Sequence, residues 1–204
     1  EALSAAMVVA MGAGTAEAAV VAAHLVEANL TGHDSHGVGL LPFYARLARD
    51  GLVKPNQPLE VIRESPAHLL VDAGLGFGQR AAREAMEMAI GRARAGGVCA
   101  LGLRNAAHIG RVGAYAEQAV AAGLASIHFV NVAGHRPLVA PFGGSDARLV
   151  TNPFCAAVPG TDVQPPVVLD FATSKVALGK VRVALNKGER MAPGTLIDKD
   201  GRAT

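Results

Sequence analysis

The sequence predicts an α/β protein, and three observations support this fold class. Half of the 204 residues are hydrophobic, whereas only 18% are charged and 4% aromatic, which is typical of a compact domain rich in small aliphatic residues. Apolar residues recur at helical spacing in residues 15–30. Beyond residue 58, short runs rich in Val, Leu and Ile alternate with helical patterns, as expected for strands joined by helices.

The N-terminal part of the chain is predicted to be helical. Two helices are expected over residues 1–11 and 15–30, separated by a Gly-Ala-Gly turn, with Thr15 as the N-cap of the second. A third helix is expected over residues 40–50, ended by Gly51 in the C′ position, where glycine is common.

Two prolines in residues 54–58 predict the main boundary of the chain, because proline interrupts both helices and strands. We therefore expect an N-terminal helical segment over residues 1–58 and an α/β domain over residues 59–204. In the second part, strands are predicted at residues 61–63, 68–71, 98–103, 125–132, 150–158 and 167–170, and helices at residues 79–95, 111–122 and 174–185. The run of strand, crossover helix and strand predicts a parallel pair with a right-handed connection.

Composition argues against several classes of protein. The formal net charge of +2 and the scattered Lys and Arg residues do not indicate a nucleic-acid or acidic-membrane surface. No apolar run approaches the ~20 residues of a membrane helix, and the first residues lack the pattern of a signal peptide. Cys99 and Cys155 lie in apolar runs, which favours buried free thiols over a disulfide. We expect a soluble, cytoplasmic protein.

Residues 31–39, TGHDSHGVG, form a polar segment between two helical ones and are the first candidate site. The alternative is a connector in which Asp34 or Ser35 caps the next helix. His33 and His36 have a spacing that suits a metal, but no clear third ligand accompanies them, so no metal is predicted. Asp34, Ser35 and His36 do not form a catalytic triad, because adjacent residues cannot pass a proton along a line.

Residues 104–113 lie where a predicted strand ends and a helix begins, and open α/β sheets bind ligands at such positions. His108 would lie near a helix N-terminus, which favours a neutral imidazole. Such an imidazole suits a proton acceptor or a donor to substrate, and the alternative is a histidine bonded to the strand backbone. His24, within a helix, is assigned to packing or to the surface.

Residues 72–79 follow a strand and open a helix, as a dinucleotide-binding turn does. However, Gln79 occupies the place of the third glycine in G-x-G-x-x-G, and the next strand ends at Arg104 rather than at an acidic residue. A tight turn from strand to helix is therefore predicted instead of a Rossmann site.

Two later segments are also candidates for ligand contacts. His135 follows a strand and could contact a phosphate or only occupy a loop. Residues 167–175 combine an apolar strand with Asp170 at its end and two hydroxyls, Thr173 and Ser174, at the expected helix start. Either hydroxyl could cap the helix, or free N–H groups there could receive a phosphate. Asp170 could bind a ribose hydroxyl or orient a histidine.

Taken together, the chain resembles the malate/L-lactate dehydrogenase family that is distinct from Rossmann-type dehydrogenases. Its relatives include ureidoglycolate dehydrogenase, sulfolactate dehydrogenase, diketogulonate reductase and piperideine-carboxylate reductase. The matching motifs, in chain order, are DSHGV at 34–38, RNAAH at 104–108, APFGG at 140–144, TNP at 151–153, LDFATS at 169–174 and D-x-x-G at 198–201. The resemblance implies an α/β mixed-sheet, sulfolactate-dehydrogenase-like fold and an NAD(P)-dependent oxidoreductase with active sites near a homodimer interface.

The resemblance also implies roles for individual residues. His36 and His108 match the candidate acid/base residues, and Ser35 is placed in the substrate site. The cofactor site is implied at His135, Asp170, Phe171, Ala172, Thr173 and Ser174.

Two departures from the family pattern affect these expectations. Many relatives have an arginine four residues after the SHG histidine, suited to binding a substrate carboxylate, where this chain has Leu40. Arg46, Arg104 or a residue of a segment beyond this chain is therefore expected to bind substrate in its place. Family members also extend beyond the position of Thr204, so the α/β domain is expected to be incomplete at its C-terminus.

The predicted reaction is reversible hydride transfer between NAD or NADP and C2 of a small 2-hydroxy or 2-oxo acid. We expect His36 to carry the proton and His108 to polarise the substrate oxygen, because a pKa near ~6.5 lets histidine exchange a proton at neutral pH. The alternatives are a cyclic imino-acid reductase of the same family and a truncated, non-catalytic remnant.

Overall fold

The computed structural model describes residues 1–134 and 136–204, and it has the mixed α/β architecture predicted from the sequence. Within these ranges the helices are α1 (Ala2–Ala10), α2 (Thr15–Leu30), α3 (Leu41–Arg49), α4 (Gly78–Gly96), α5 (Gly113–Ala121) and α6 (Leu178–Lys187). The strands are β1 (Glu60–Ser65), β2 (His68–Asp72), β3 (Ala100–Arg104), β4 (Ser126–Phe129), β5 (Phe154–Val158) and β6 (Val167–Phe171). Two 3₁₀ turns, Asp34–His36 and Val38–Leu40, join α2 to α3. None of the described helices combines the length and the apolar character needed to cross a membrane.

The described strands form two three-stranded sheets. In the first, β1 is antiparallel to β2, and β2 is parallel to β3 across the crossover helix α4. In the second, β4, β5 and β6 are all antiparallel. The predicted parallel pair is confirmed for β2 and β3 but wrong for β3 and β4. Because α5 packs on β5 through Ala116 and Cys155, the chain after α5 pairs with β5 and does not return to β3.

The N-terminal helices pack around one hydrophobic core, which is formed by Val8, Ala13, Ala18, Val21, Leu25, Leu41, Tyr44, Val53 and Phe77. Phe77 lies at the start of α4, beyond the boundary expected at residue 58. The helical segment therefore shares its core with the first turn of α4, and the division into two domains stays a prediction.

The proline-rich segment is held in place by hydrogen bonds from Asn56. Its backbone N–H donates to the buried carboxylate of Glu17 at 2.7 Å, and its side chain accepts a bond from the backbone N–H of Gly14 at 2.7 Å. Glu17 also pairs with Arg80 of α4 at 2.8 Å. Because a buried carboxylate needs such partners, this cluster stabilises α2 against the beginning of α4.

Some local expectations are wrong in detail. Thr15 is the first residue of α2, Gly14 is its N-cap, and no side chain caps the first turn. Neither Thr173 nor Ser174 caps α6, because that helix begins only at Leu178 with Ala177 as its N-cap. The expected free thiols are confirmed, with Cys155 buried and Cys99 partly buried.

Replacement of Leu25 by alanine should destabilise the helical segment. Leu25 is fully buried in α2, so its truncation leaves a cavity in the N-terminal core. We expect the free energy of unfolding to fall by about 2–5 kcal/mol in denaturant titrations. Leu30 on the same helix is 82% exposed, so Leu30→Ala is the matched control and should change stability by less than about 0.5 kcal/mol. Equal losses for both variants would contradict the assignment of the core.

Candidate active site

Residues 31–39 form a compact connection organised around Asn29. The amide of Asn29 donates to Asp34 Oδ1 at 2.6 Å and accepts the backbone N–H of Val38 at 2.9 Å. Gly37 lies so close to the Asn29 side chain that a Cβ would overlap the amide. Neither Asp34 nor Ser35 caps a helix, so the alternative role of this segment as a simple capping connector is not seen.

The structure brings His36 and His108 together, although they are far apart in the sequence. Their rings are stacked, with centroids 5.5 Å apart and planes inclined by 19°. Ser35 Oγ lies 2.9 Å from His36 Nδ1, and the hydroxyl of Tyr44 lies 2.7 Å from His108 Nδ1. Each imidazole therefore has one ring nitrogen held by a neighbouring hydroxyl, which limits rotation of the ring.

Tyr44 is buried in α3 and connects His108 to α4. Its hydroxyl accepts a hydrogen bond from Gln79 Nε2 at 2.7 Å, and both side chains are at most 2% exposed. Burial raises the pKa of Tyr44 above its ordinary value, although the bond from Gln79 opposes this, so the phenol stays protonated at neutral pH. The sequence pattern did not single out either residue for the site, and the only signal was that Gln79 interrupts the glycine pattern.

The first turn of α4 lies directly against the backbone before α5. Gly78 faces the carbonyl groups of Ala107 and His108 at a distance where no Cβ could fit. This close approach places Gln79 beside Tyr44 and fixes the backbone of His108 relative to α4. A larger residue at position 78 would separate the two segments.

The glycine-rich stretch before α4 is a tight turn, as predicted. Asp72 accepts the backbone N–H of Gly74 at 2.8 Å, and the N–H of Leu75 donates to the carbonyl of Asn105 at 2.7 Å. Gly76 in turn accepts the N–H of Ala107 at 3.1 Å. These backbone groups bond to the loop after β3 and do not form an open phosphate cradle.

His36 lies in an environment that favours its neutral form. Burial lowers its pKa, nearby His33 lowers it further, and the carboxylate of Asp170 raises it in part. Asp170 itself accepts the backbone N–H of Gly113 at 2.7 Å, at the first residue of α5. Asp170 thus anchors the start of α5 and acts electrostatically on His36.

The other residues implied for the cofactor lie along the turn after β6. Phe171 is 45% exposed and packs its ring against Phe154. Thr173 donates to the carbonyl of Asn152 at 3.2 Å, which identifies the TNP segment as a neighbour that the sequence pattern did not indicate. Ser174 donates to the carbonyl two residues later at 2.9 Å. Ala172 is half-buried, and the predicted contact at His135 lies outside the described residues.

The two arginines predicted to bind substrate make other contacts. Arg104 pairs with Asp72 at 2.8 Å, and its side chain remains 55% exposed. Arg46 is exposed, with its guanidinium 5.5 Å from the centre of the Phe43 ring. Neither contact joins an arginine to the histidine pair, so both roles stay predictions.

A cavity of about 360 Å³ lies between the His33–Ser35 segment and α6, and it is lined by two cations, Lys180 and Arg190, and by two carboxylates, Asp34 and Glu189. Gly179 makes this arrangement possible, because a side chain there would collide with Ser35. The sequence pattern missed both cations, since neither belongs to a motif that was singled out. Among the described residues, no group of three or more His, Cys, Asp or Glu side chains converges to hold a metal ion.

His24 is a core residue next to the site, which confirms the packing alternative. Its Nε2 accepts the backbone N–H of Arg111 at 2.9 Å, and the buried guanidinium of Arg111 forms two bonds, of 2.7 and 2.6 Å, with Glu117. Burial lowers the pKa of His24 to about 4, and the Arg111 cation contributes to the shift. Gly110, with φ of 77°, lies against the His24 ring, where a side chain would not fit.

Solved structures define the class of protein to which this fold belongs. The chain matches a candidate malate/lactate dehydrogenase from Escherichia coli with a TM-score of 0.93 and 46% identity, covering 100% of this chain and 56% of that one. It matches sulfolactate dehydrogenase from Methanocaldococcus jannaschii with a TM-score of 0.87 and 36% identity, over 99% and 57% of the two chains. Δ1-piperideine-2-carboxylate reductase from Pseudomonas syringae gives a TM-score of 0.88 and 30% identity, over 99% and 60%. The fold is that of the non-Rossmann dehydrogenases.

The family follows from the sequence comparison. Residues 1–204 match the model of the malate/L-lactate dehydrogenase family. Hydroxycarboxylate dehydrogenase B of Escherichia coli O157:H7 is 48% identical over 194 residues, or 95% of this chain and 53% of that protein. L-lactate dehydrogenase of Cupriavidus necator is 44% identical over 185 residues, or 90% and 53%. The chain therefore belongs to the malate/L-lactate dehydrogenase family, and it spans about half the length of these curated relatives.

The low pKa of His24 should make stability depend on pH. The unfolded chain binds a proton to this residue near pH 6.5, whereas the folded chain does so only near pH 4. The stabilising contribution is therefore complete above pH 6.5 and is lost as the pH falls towards 4, by up to about 3 kcal/mol.

Denaturant titrations between pH 7 and pH 4 measure this loss. His24→Gln keeps a hydrogen-bond acceptor for Arg111 but does not titrate, so it should show a smaller fall over the same range. His68 is the first residue of β2, and His68→Gln is the matched control. Its free energy of unfolding should fall by as much as that of the parent protein. If His24→Gln and the parent protein lose the same amount of stability between pH 7 and pH 4, the assignment of His24 as a buried neutral imidazole is contradicted.

Proposed function

We propose that the protein containing this chain is a nicotinamide-dependent 2-hydroxyacid dehydrogenase, which transfers a hydride reversibly between NAD or NADP and C2 of a small, malate- or lactate-like 2-hydroxy or 2-oxo acid. The observation that carries the proposal is the stacked pair of His36 and His108, each held by its own hydroxyl partner. Oxidation of an alcohol requires a group to take the hydroxyl proton and a group to bind the developing carbonyl oxygen, and two adjacent imidazoles can supply both.

The ends of β4 and β6 and the turn after β6 fit a nicotinamide cofactor by the chemistry of their residues. Phe129 and Phe171 are 80% and 45% exposed, and both contact the ring of Phe154, so they offer an aromatic surface to a planar ring. Thr173 and Ser174 add hydroxyls next to that surface, and a cofactor site needs apolar walls with a few polar groups. Together with Asp170, Ala172 and His135, they are the proposed cofactor residues, and the bound nicotinamide supplies the hydride chemistry.

The two histidines have different proposed roles. His36 accepts the substrate hydroxyl proton during oxidation and returns it during reduction, because burial keeps its imidazole neutral at neutral pH. Ser35, 2.9 Å from His36 Nδ1, holds the ring in place and belongs to the proposed substrate site. His108 polarises the substrate oxygen.

The substrate carboxylate requires a cation. Leu40 stands where many relatives have arginine, so Arg104 or Arg46 remains the proposed partner from the sequence. The cavity beside Ser35 offers Lys180 and Arg190 as further candidates. Asp34 and Glu189 line the same cavity, so a substrate carboxylate there would compete with these two carboxylates for the cations.

Two alternatives remain. The likeness to a piperideine-carboxylate reductase favours a cyclic imino acid as a second substrate class, with the proton delivered to nitrogen. A non-catalytic remnant of the family is the other. We further propose a cytoplasmic homodimer, supported by the free thiols and by exposed apolar side chains on β4 and β6, such as Ile127 and Val167.

Replacement of either histidine by glutamine should impair turnover. If His36 transfers the proton, His36→Gln lowers kcat by about 10²–10⁴-fold, and His108→Gln lowers it to a similar extent if it polarises the oxygen. Steady-state kinetics of the full-length protein with NADH and 2-oxo acids measures both effects. His68 is the first residue of β2, away from the histidine pair in the sequence, and His68→Gln should leave kcat unchanged. A change confined to KM would assign the residue to binding instead of to proton transfer.

Cofactor binding and substrate class can be measured separately. Titration of the full-length protein with NADH and NADPH should change the nicotinamide fluorescence, and the absence of any change would favour the non-catalytic remnant. Pyruvate and oxaloacetate should then oxidise the bound cofactor faster than a cyclic imino acid does, when followed by absorbance. Faster oxidation by the cyclic imine would instead identify the reductase alternative.

A further inference from the structure

Three side chains form a hydrogen-bond chain, Gln79 to Tyr44 to His108. The donors and acceptors that each group offers determine which group donates in each bond. The amide nitrogen of Gln79 can only donate, so the oxygen of Tyr44 accepts that bond at 2.7 Å. A phenol has a single proton, and burial keeps Tyr44 protonated. That proton is therefore available to His108 Nδ1, 2.7 Å away.

We propose that Gln79 is a positioning residue that acts through Tyr44 to hold neutral His108 in the tautomer with its proton on Nε2. A neutral imidazole carries one proton, so a ring whose Nδ1 accepts a bond must be protonated on Nε2. The inference rests on the proposed function and deepens it, because it makes His108 the hydrogen-bond donor to the substrate oxygen. His36 is then left as the residue that takes the proton.

The orientation of the Gln79 amide supports this direction. Gln79 is 1% exposed, and its Oε1 is buried without a hydrogen-bond partner among the residues that the structure describes. Exchanging the two amide atoms would pair the oxygen with Tyr44 but leave both N–H groups without a partner, whereas in the present orientation one of them donates to Tyr44. Buried unpaired N–H groups are rarer than under-bonded carbonyl oxygens. The orientation that donates to Tyr44 is therefore the more favourable one.

The position of Gln79 is fixed by packing on both sides. Gly78, one residue earlier, lies against the carbonyl groups of Ala107 and His108, and Phe77 is buried in the N-terminal core. Tyr44 is 2% exposed and packs edge-on against Phe77. The amide lies on α4, the phenol on α3 and the imidazole in the segment between β3 and α5, and each has little freedom to rotate. The hydrogen bond that Gln79 donates therefore determines that Tyr44 donates to His108.

The experiment uses the full-length protein labelled with ¹⁵N-histidine. Long-range ¹H–¹⁵N correlation spectra at neutral and alkaline pH distinguish a protonated ring nitrogen from an unprotonated one, and loss of signals in His108→Gln assigns the residue. We expect His108 to carry its proton on Nε2. A proton on Nδ1 would overturn the inference even if no variant folded.

Two substitutions of Gln79 test the cause of this tautomer. Gln79→Met removes the donor without adding charge. The Tyr44 hydroxyl can then either donate to His108 Nδ1 or accept from it, so both tautomers of His108 should be populated. Gln79→Glu, ionised at alkaline pH, can only accept, so Tyr44 should donate to it and the proton of His108 should move to Nδ1. Gln118→Met is the matched control, because Gln118 on α5 bonds only the carbonyl of Arg83 in the described structure. An unchanged tautomer in both folded Gln79 variants would refute the role of Gln79.

Kinetics separate this inference from the proposed function. Gln79→Met should lower kcat for 2-oxo acid reduction by only a few-fold, in proportion to the Nε2–H tautomer that is lost, whereas Gln79→Glu at alkaline pH should lower it by about 10²-fold, and the KM for the cofactor should stay unchanged in both. If the tautomer behaves as expected but no nicotinamide-dependent reaction occurs, the proposed function fails and the role of Gln79 in setting the tautomer stands. If the reaction occurs but the tautomer of His108 is unchanged in the Gln79 variants, the role of Gln79 is refuted and the proposed function stands.

Discussion

The structure depends on the contact between α3 and the first turn of α4. Tyr44 and Phe77 are both buried in the N-terminal core, and Gly78 brings the backbone of α4 against the segment that carries His108. Burying an aromatic ring is strongly favourable, and burying its hydroxyl requires a partner, which Gln79 and His108 supply. The same contact thus closes the hydrophobic core and positions one half of the candidate site.

The buried cation near the site is compensated by carboxylates of its own. Arg111 is only 6% exposed and is compensated by Glu117 and Glu27. Its backbone N–H bonds to His24, which burial keeps neutral. Ion pairs of this kind are costly to break, because removing one partner leaves a buried charge. They stabilise the start of α5, and Asp170 anchors its first residue from the second sheet.

The site combines features common to its family with local differences. The helical segment, the first sheet and the turn after β6 each contribute a part, and a chain that spans about half the length of its curated relatives already contains both histidines. Beside Ser35, Lys180 and Arg190 line a cavity together with the carboxylates of Asp34 and Glu189.

The sequence by itself determined the local elements and the family. Helical periodicity located α2 to the residue, and a glycine with positive φ ends α3, as expected from Gly51. The motifs identified the two histidines, because polar residues flanked by glycine are conspicuous in an apolar chain. Tertiary structure alone decided which strands pair and which side chains meet. Tyr44 and Gln79 look like ordinary helix residues until α3 and α4 are packed together, since partners distant along the chain leave no periodic signal. For the same reason the sequence pattern predicted a parallel partner for β4, whereas burial of α5 against β5 placed that strand in a second sheet.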